Sequence, residues 1–112
     1  MNRLSKPLIA AEKIKNYLLQ PKKKNDKSKW LAEAGYTLEN WQVLENDLQT
    51  QILPLNATLT DETKYGQTYE IKGALTGPNG KTLRVRTIWM REYESKRTKF
   101  ITMFPDKRST EK

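Results

Sequence analysis

The sequence predicts an α+β domain in which about three N-terminal helices pack on one face of a four-stranded antiparallel β-meander. Three observations carry that prediction. Apolar residues recur at three- and four-residue spacing over the first half of the chain, which is the helical period. They alternate at period two over much of the second half, which is the strand period. Asn79-Gly80 divides two of the alternating runs, and a primed hairpin turn needs the positive φ that Asn and Gly tolerate. Helices followed by consecutive strands give a layered arrangement with the helices on one side of the sheet.

Taken in order, residues 1–6 read as a flexible leader. From Pro7 onward Leu8, Ala11, Ile14 and Leu18 mark an amphipathic helix, with Pro7 suited to its first turn and Pro21 stopping it. A polar loop, Lys22 to Asp26, leads to a short second helix from Ser28 to Ala34, which carries Trp30 and Leu31 and is capped by Gly35. Thr37 and Asn40 form half of a capping box before a third stripe of Trp41, Leu44, Leu48 and Ile52, with Val43 beside it. The third helix is therefore placed at Leu38 to Leu53, and Pro54 ends it. The strands are expected at Leu55–Thr60, Thr68–Thr76, Thr82–Tyr93 and Lys99–Phe104, with Asp61-Glu62 turning the chain after the first. Gly66 is expected to allow a bend into the second strand. The whole chain, 1–112, reads as one domain with its core at about 8–105 and a frayed segment at 107–112.

Composition narrows the chemistry. There are 112 residues with 21 Lys and Arg against 13 Asp and Glu, a formal net charge of +8. An excess of that size attracts nucleic acid or an acidic protein, and equally describes a lysine-rich solvated surface. Cysteine and histidine are absent, so disulfides, thiolate chemistry and the usual zinc ligands have no residues to use, and the usual near-neutral general base is missing. No cofactor motif occurs. The N-terminal segment lacks the pattern of a signal peptide, and no apolar run reaches the ~20 residues that span a bilayer, so the expected location is the cytoplasm.

The third strand holds the leading candidates. In Leu83-Arg84-Val85-Arg86-Thr87, alternation puts Leu83, Val85 and Thr87 on one face and both arginines on the other. Two guanidiniums so placed can grip phosphates. They can equally form an ordinary polar outer face, paired with Glu70 or Glu92 across strands. The same alternation puts Ile88 and Met90 on the arginine side unless a bulge intervenes, giving a mixed face. Lys27 and Lys29 flank a helix start, where backbone N–H groups favour an anion. Tyr65 and Thr102 offer hydroxyls near the sheet. Trp30, Trp41 and Trp89 sit at core-like positions, and the Gly77–Gly80 loop lacks the Lys-Ser/Thr ending of a phosphate loop.

The combination K-S-K-W-L-A-E-A-G-Y, Y-G-Q-T-Y-E-I-K-G-A-L-T-G-P-N-G-K, V-R-T-I-W and F-I-T-M-F-P resembles an uncharacterised family of small bacterial single-domain proteins, over roughly residues 8–105. More loosely, helices followed by a four-stranded meander resemble the barnase/EndoU/colicin/RelE-type ribonuclease-toxin fold. That likeness implies an RNA substrate and metal-independent attack of a 2′-hydroxyl on the adjacent phosphorus. Lys27, Arg84 and Arg86 would stabilise the developing charge, while Tyr65 and Thr102 position the phosphate. The branches of that class that use histidine find no match here.

Two functions follow from these residues. One is a small basic RNA-cleaving toxin-like domain, held in check by a small acidic neutralising protein. The other is a non-catalytic module that docks an acidic protein or a nucleic-acid backbone. No paired carboxylates, nucleophile elbow or dinucleotide fingerprint supports an enzyme acting on a small metabolite. Trp89 and Met90 fall on opposite faces of one strand, so one large apolar side chain lies outside the core, as at a homodimer or partner interface.

Overall fold

A computed structural model describes residues 13–19 and 27–106. The leader at 1–6, the helix start at Pro7, Pro21, the Lys22–Asp26 loop and the C-terminal segment from 107 lie outside the described residues. The described chain is an α+β unit with two α-helices, α1 (Ser28–Ala32) and α2 (Trp41–Asp47), and four strands. These are β1 (Thr58–Glu62), β2 (Gly66–Thr76), β3 (Thr82–Glu92) and β4 (Thr98–Pro105), paired as the antiparallel meander β1-β2-β3-β4.

The expected first helix is represented by one wide helical segment, Lys13–Leu18, closed by the Leu19 N–H donating to the Ile14 carbonyl at 3.0 Å. Ile14 and Leu18, its stripe residues, are fully buried. α1 ends as its Gly35 predicts. Gly35 takes φ +95°, its N–H binds the Ala32 carbonyl, and the Tyr36 N–H reaches back to Leu31, which satisfies the last carbonyls of the turn.

Thr37 and Asn40 close a reciprocal turn ahead of α2, whose own N-cap, Asn40, makes no side-chain capping bond. The Thr37 N–H donates to Asn40 Oδ1 at 2.7 Å while Thr37 Oγ1 accepts from the Asn40 N–H at 3.4 Å. The α-helix begins at Trp41, three residues later than the sequence places it, and it continues as a wide turn, Leu48–Ile52, that brings Leu48, Ile52 and Leu53 inward together. That turn also aims Gln51 at the sheet. Its amide donates to the Thr76 carbonyl at 2.9 Å and accepts the Thr76 N–H at 2.7 Å, as a neighbouring strand would. Tyr36, fully buried, donates to Asp47 at 2.7 Å and lies 3.2 Å from the same Thr76 carbonyl. Three side-chain hydrogen bonds thus tie the helical layer to the end of β2.

The β2–β3 hairpin falls where Asn79-Gly80 places it, with a different turn. Gly80 alone adopts positive φ, +89°, and Pro78 and Asn79 are the central residues of a turn closed by Gly80 N–H to Gly77 O at 3.0 Å. The loop docks on the end of α1, where Asn79 Nδ2 donates to the Glu33 carbonyl at 3.0 Å. Gly77 is needed for this approach, since a Cβ there would lie 2.0 Å from the Ala34 carbonyl oxygen.

The expected first strand is displaced. Leu55–Ala57 is irregular, and Asp61 and Glu62 stay on the ladder opposite Thr68 and Gln67, with a bulge between Leu59 and Asp61. The chain turns at residues 63–65 instead. All five β1 residues are exposed, so apolar alternation leaves no trace there, and acidic residues on an edge strand discourage further pairing. Gly66 serves a close approach: a Cβ would meet the Arg91 carbonyl oxygen at 2.3 Å.

The core lies between the helical layer and one face of the sheet. Ile71 and Leu75 of β2, Val85 and Trp89 of β3, and Phe100 and Met103 of β4 are all buried there. Trp89 meets Phe100 edge-on at 5.2 Å and donates to Thr87 Oγ1 at 2.7 Å. Thr87 passes the chain on to the Ile71 carbonyl at 3.0 Å, so the buried indole and hydroxyl are both satisfied. Trp30 and Trp41 pack half-buried against this core. No helix among the described residues is long and apolar enough to cross a membrane.

Candidate functional site

β3 alternates strictly: Leu83, Val85, Thr87 and Trp89 are buried, and Arg84, Arg86, Ile88 and Met90 are exposed or half-exposed on the opposite face. The bulge that could have broken this pattern lies in β4, because Ile88 pairs with Thr102 and Trp89 with Phe100, leaving Ile101 as the extra residue. Both arginines therefore occupy the sheet face that the helices leave bare, and Ile88 and Met90 share it.

The register sets their surroundings. Arg86 stands opposite Lys72 on β2 and Phe104 on β4. Its guanidinium lies 4.5 Å from the Phe104 ring centroid, a cation–π contact, and Nη1 donates to Glu70 Oε2 at 3.2 Å. Glu70 is shared with Lys72, whose Nζ is 3.9 Å from Oε1. From the helical layer, Lys27 reaches the same Phe104 ring at 5.9 Å. A row Lys27–Phe104–Arg86–Glu70–Lys72 thus crosses three strands, with Arg84 one alternation further along β3 opposite Ala74. The Arg84 side chain is exposed, and its carbonyl accepts the Asp106 N–H. Among the described residues, four cations (Lys27, Arg84, Arg86 and Lys72) stand around Glu70, with Asp106 beside Arg84.

Of the residues singled out from the sequence, Lys27, Arg84, Arg86 and Thr102 gather on or beside this face, Thr102 being opposite Ile88 and two residues before Phe104. Tyr65 does not join them. It precedes β2 and bonds to the far end of β3 through the Tyr93 N–H. Seven residues along β2 separate it from Lys72, the residue opposite Arg86, which is about 23 Å at the usual strand rise. Its ring meets Lys64 at 5.3 Å, and it is 67% exposed. Lys29 is exposed on α1. Phe104 and Lys72 enter the site without having been singled out, although counting back from the hairpin places Lys72 opposite Arg86.

The other end of the face is tied differently. Lys99 Nζ binds Glu92 at 2.9 Å and, with a hydrogen bond from Ser95, holds that carboxyl below the usual range. Tyr93 donates to Glu62, which keeps its phenol proton above the ordinary range. Between that end and the cationic row stand Ile88, flanked by Glu70 and Thr102, and Met90, flanked by Thr68 and Lys99. The face is cationic toward the hairpin loop, carries two apolar side chains among polar neighbours in the middle, and holds the Lys99–Glu92 pair at the far end.

The sequence matches, over residues 1–107, the family described as "Domain of unknown function (DUF6883)", and the chain belongs to that family. No curated protein and no solved structure matches it.

Proposed function

We propose that this DUF6883 domain is a non-catalytic docking module that holds a nucleic-acid phosphate backbone on the bare face of its sheet. The observation that supports this most is the Arg84–Arg86 pair, with Arg86 braced by Phe104 and Glu70. A guanidinium held on an aromatic ring and a carboxylate loses little rotamer freedom when it binds a phosphate. Arg84 is about 7 Å away along the strand, so the two can reach neighbouring phosphates of one chain.

RNA cleavage finds weaker support. Tyr65 is too far from the arginines to act on the same phosphate. Lys27, Arg84, Arg86 and Thr102 can stabilise charge, but ammonium, guanidinium and hydroxyl groups are poor general bases. Glu70 is committed to Arg86 and Lys72.

A fluorescein-labelled RNA stem-loop, titrated by anisotropy and then run on a denaturing gel, tests this reading. Binding should weaken in Arg84→Ala and in Arg86→Ala, each lowering the slope of log K against log salt by about 0.7–0.9, with the RNA intact throughout. Cleavage that disappears in Glu70→Gln would make Glu70 a general base and overturn the non-catalytic reading. Tighter binding of poly-glutamate than of RNA would make the face a site for an acidic protein instead.

A further inference from the structure

Resting on that reading, we infer that the nucleic acid is single-stranded, its phosphates on Arg84 and Arg86 and its bases laid against Ile88 and Met90. The two kinds of side chain occupy one face of one strand, in the order Arg84, Arg86, Ile88, Met90, and none of the four is buried. A duplex hides the flat faces of its bases and presents a hydrated sugar–phosphate surface, which gains nothing from half-exposed isoleucine and methionine. A single strand exposes those base faces and recovers their burial on apolar or planar side chains.

Arg86 stands at the junction of the two regions. Its contact with Phe104 and its single hydrogen bond to Glu70 leave the other guanidinium nitrogens without partners among the described residues. It can therefore donate to a phosphate while an adjacent base lies over the side chains of Ile88 and Met90. Ile88 lies between Glu70 on β2 and Thr102 on β4, so a base over it meets a carboxylate-bearing residue on one side and a hydroxyl-bearing one on the other.

The test compares three probes on the full chain: a single-stranded RNA of about ten nucleotides, a blunt duplex of the same length, and inorganic polyphosphate of similar charge. The single strand should bind about tenfold more tightly than either of the others, a difference consistent with one stacked base. Ile88→Thr and Met90→Thr, which keep β-branched or strand-compatible side chains, should each weaken single-strand binding several-fold. They should leave its salt slope and polyphosphate binding unchanged. Equal affinity for duplex or polyphosphate, or indifference to both substitutions, overturns the single-strand assignment while leaving the docking reading in place. Failure of all three probes to bind overturns both.

Discussion

Glu70 is the carboxylate that a phosphate must compete with, and Glu70→Gln turns that competition into a measurement. The amide keeps the shape of the side chain and an oxygen that can accept from Arg86 Nη1, now at 3.2 Å from Oε2. It removes one negative charge from between Arg86 and Lys72. The stability change should be small, because Arg86 and Lys72 are 39% and 38% exposed and such pairs contribute about 0.2–1 kcal/mol. A fall of about 3 °C in Tm is expected for a domain of this size. The effect on binding should have the opposite sign. One more uncompensated cation adds about 0.7 to the salt slope for a single-stranded ligand, which at 0.1 M salt is about fivefold in affinity. Anisotropy titrations at several salt concentrations, paired with thermal melts, read both quantities. Affinity that falls, or a slope that stays the same in a folded variant, would refute the idea that phosphate enters between these cations.

Four further substitutions probe the scaffold. Thr87→Val should lower stability by about 2–4 kcal/mol in urea unfolding, since it deletes the bond to Ile71 and leaves the buried Trp89 N–H without an acceptor. Trp89→Phe in the Thr87→Val background should then show strong non-additivity. Thr98→Val should raise stability by about 1 kcal/mol, because Thr98 Oγ1 is buried without a partner among the described residues. Tyr36→Phe removes the bond to Asp47, and its effect should depend on pH. Burial first, and then Asp47, push the Tyr36 phenol pKa up, so the unfolded chain ionises before the folded one. The tyrosine's contribution is therefore full below about pH 10, the unfolded value, and is lost as the pH rises toward the folded one. The stability gap between wild type and Tyr36→Phe should hold up to about pH 10 and narrow above it, as measured by urea midpoints; a gap that stays constant above pH 10 contradicts the assignment.

Much of this architecture is legible in the residues themselves. The helical stripes name Ile14, Leu18, Leu44, Leu48 and Ile52, all fully buried, and the alternation through Leu83–Thr87 names the face that carries the arginines. The hairpin register also places Tyr65. Strand register from the hairpin pairs Thr76 with Thr82 and Gly66 with Glu92, so Tyr65 must lie at the end of the sheet opposite to Arg84. Phe104 was harder to place, because its pairing with Arg86 depends on the extra residue Ile101, and no turn residue marks that bulge. The bounds of β1 are not legible, because a fully exposed edge strand carries no apolar pattern and its bulge shifts the acidic pair onto the ladder. The Lys27 contact with Phe104 joins the helical layer to the last strand, a long-range closure that local periodicity does not encode.

Amide chemical-shift mapping with a short single-stranded RNA tests the bare-face site most directly. The account predicts shifts concentrated at Arg84, Arg86, Ile88, Thr102 and Phe104, with the outward surfaces of α1 and α2 unchanged. Shifts confined to the helical layer, or to the Tyr65 end of the sheet, would contradict it.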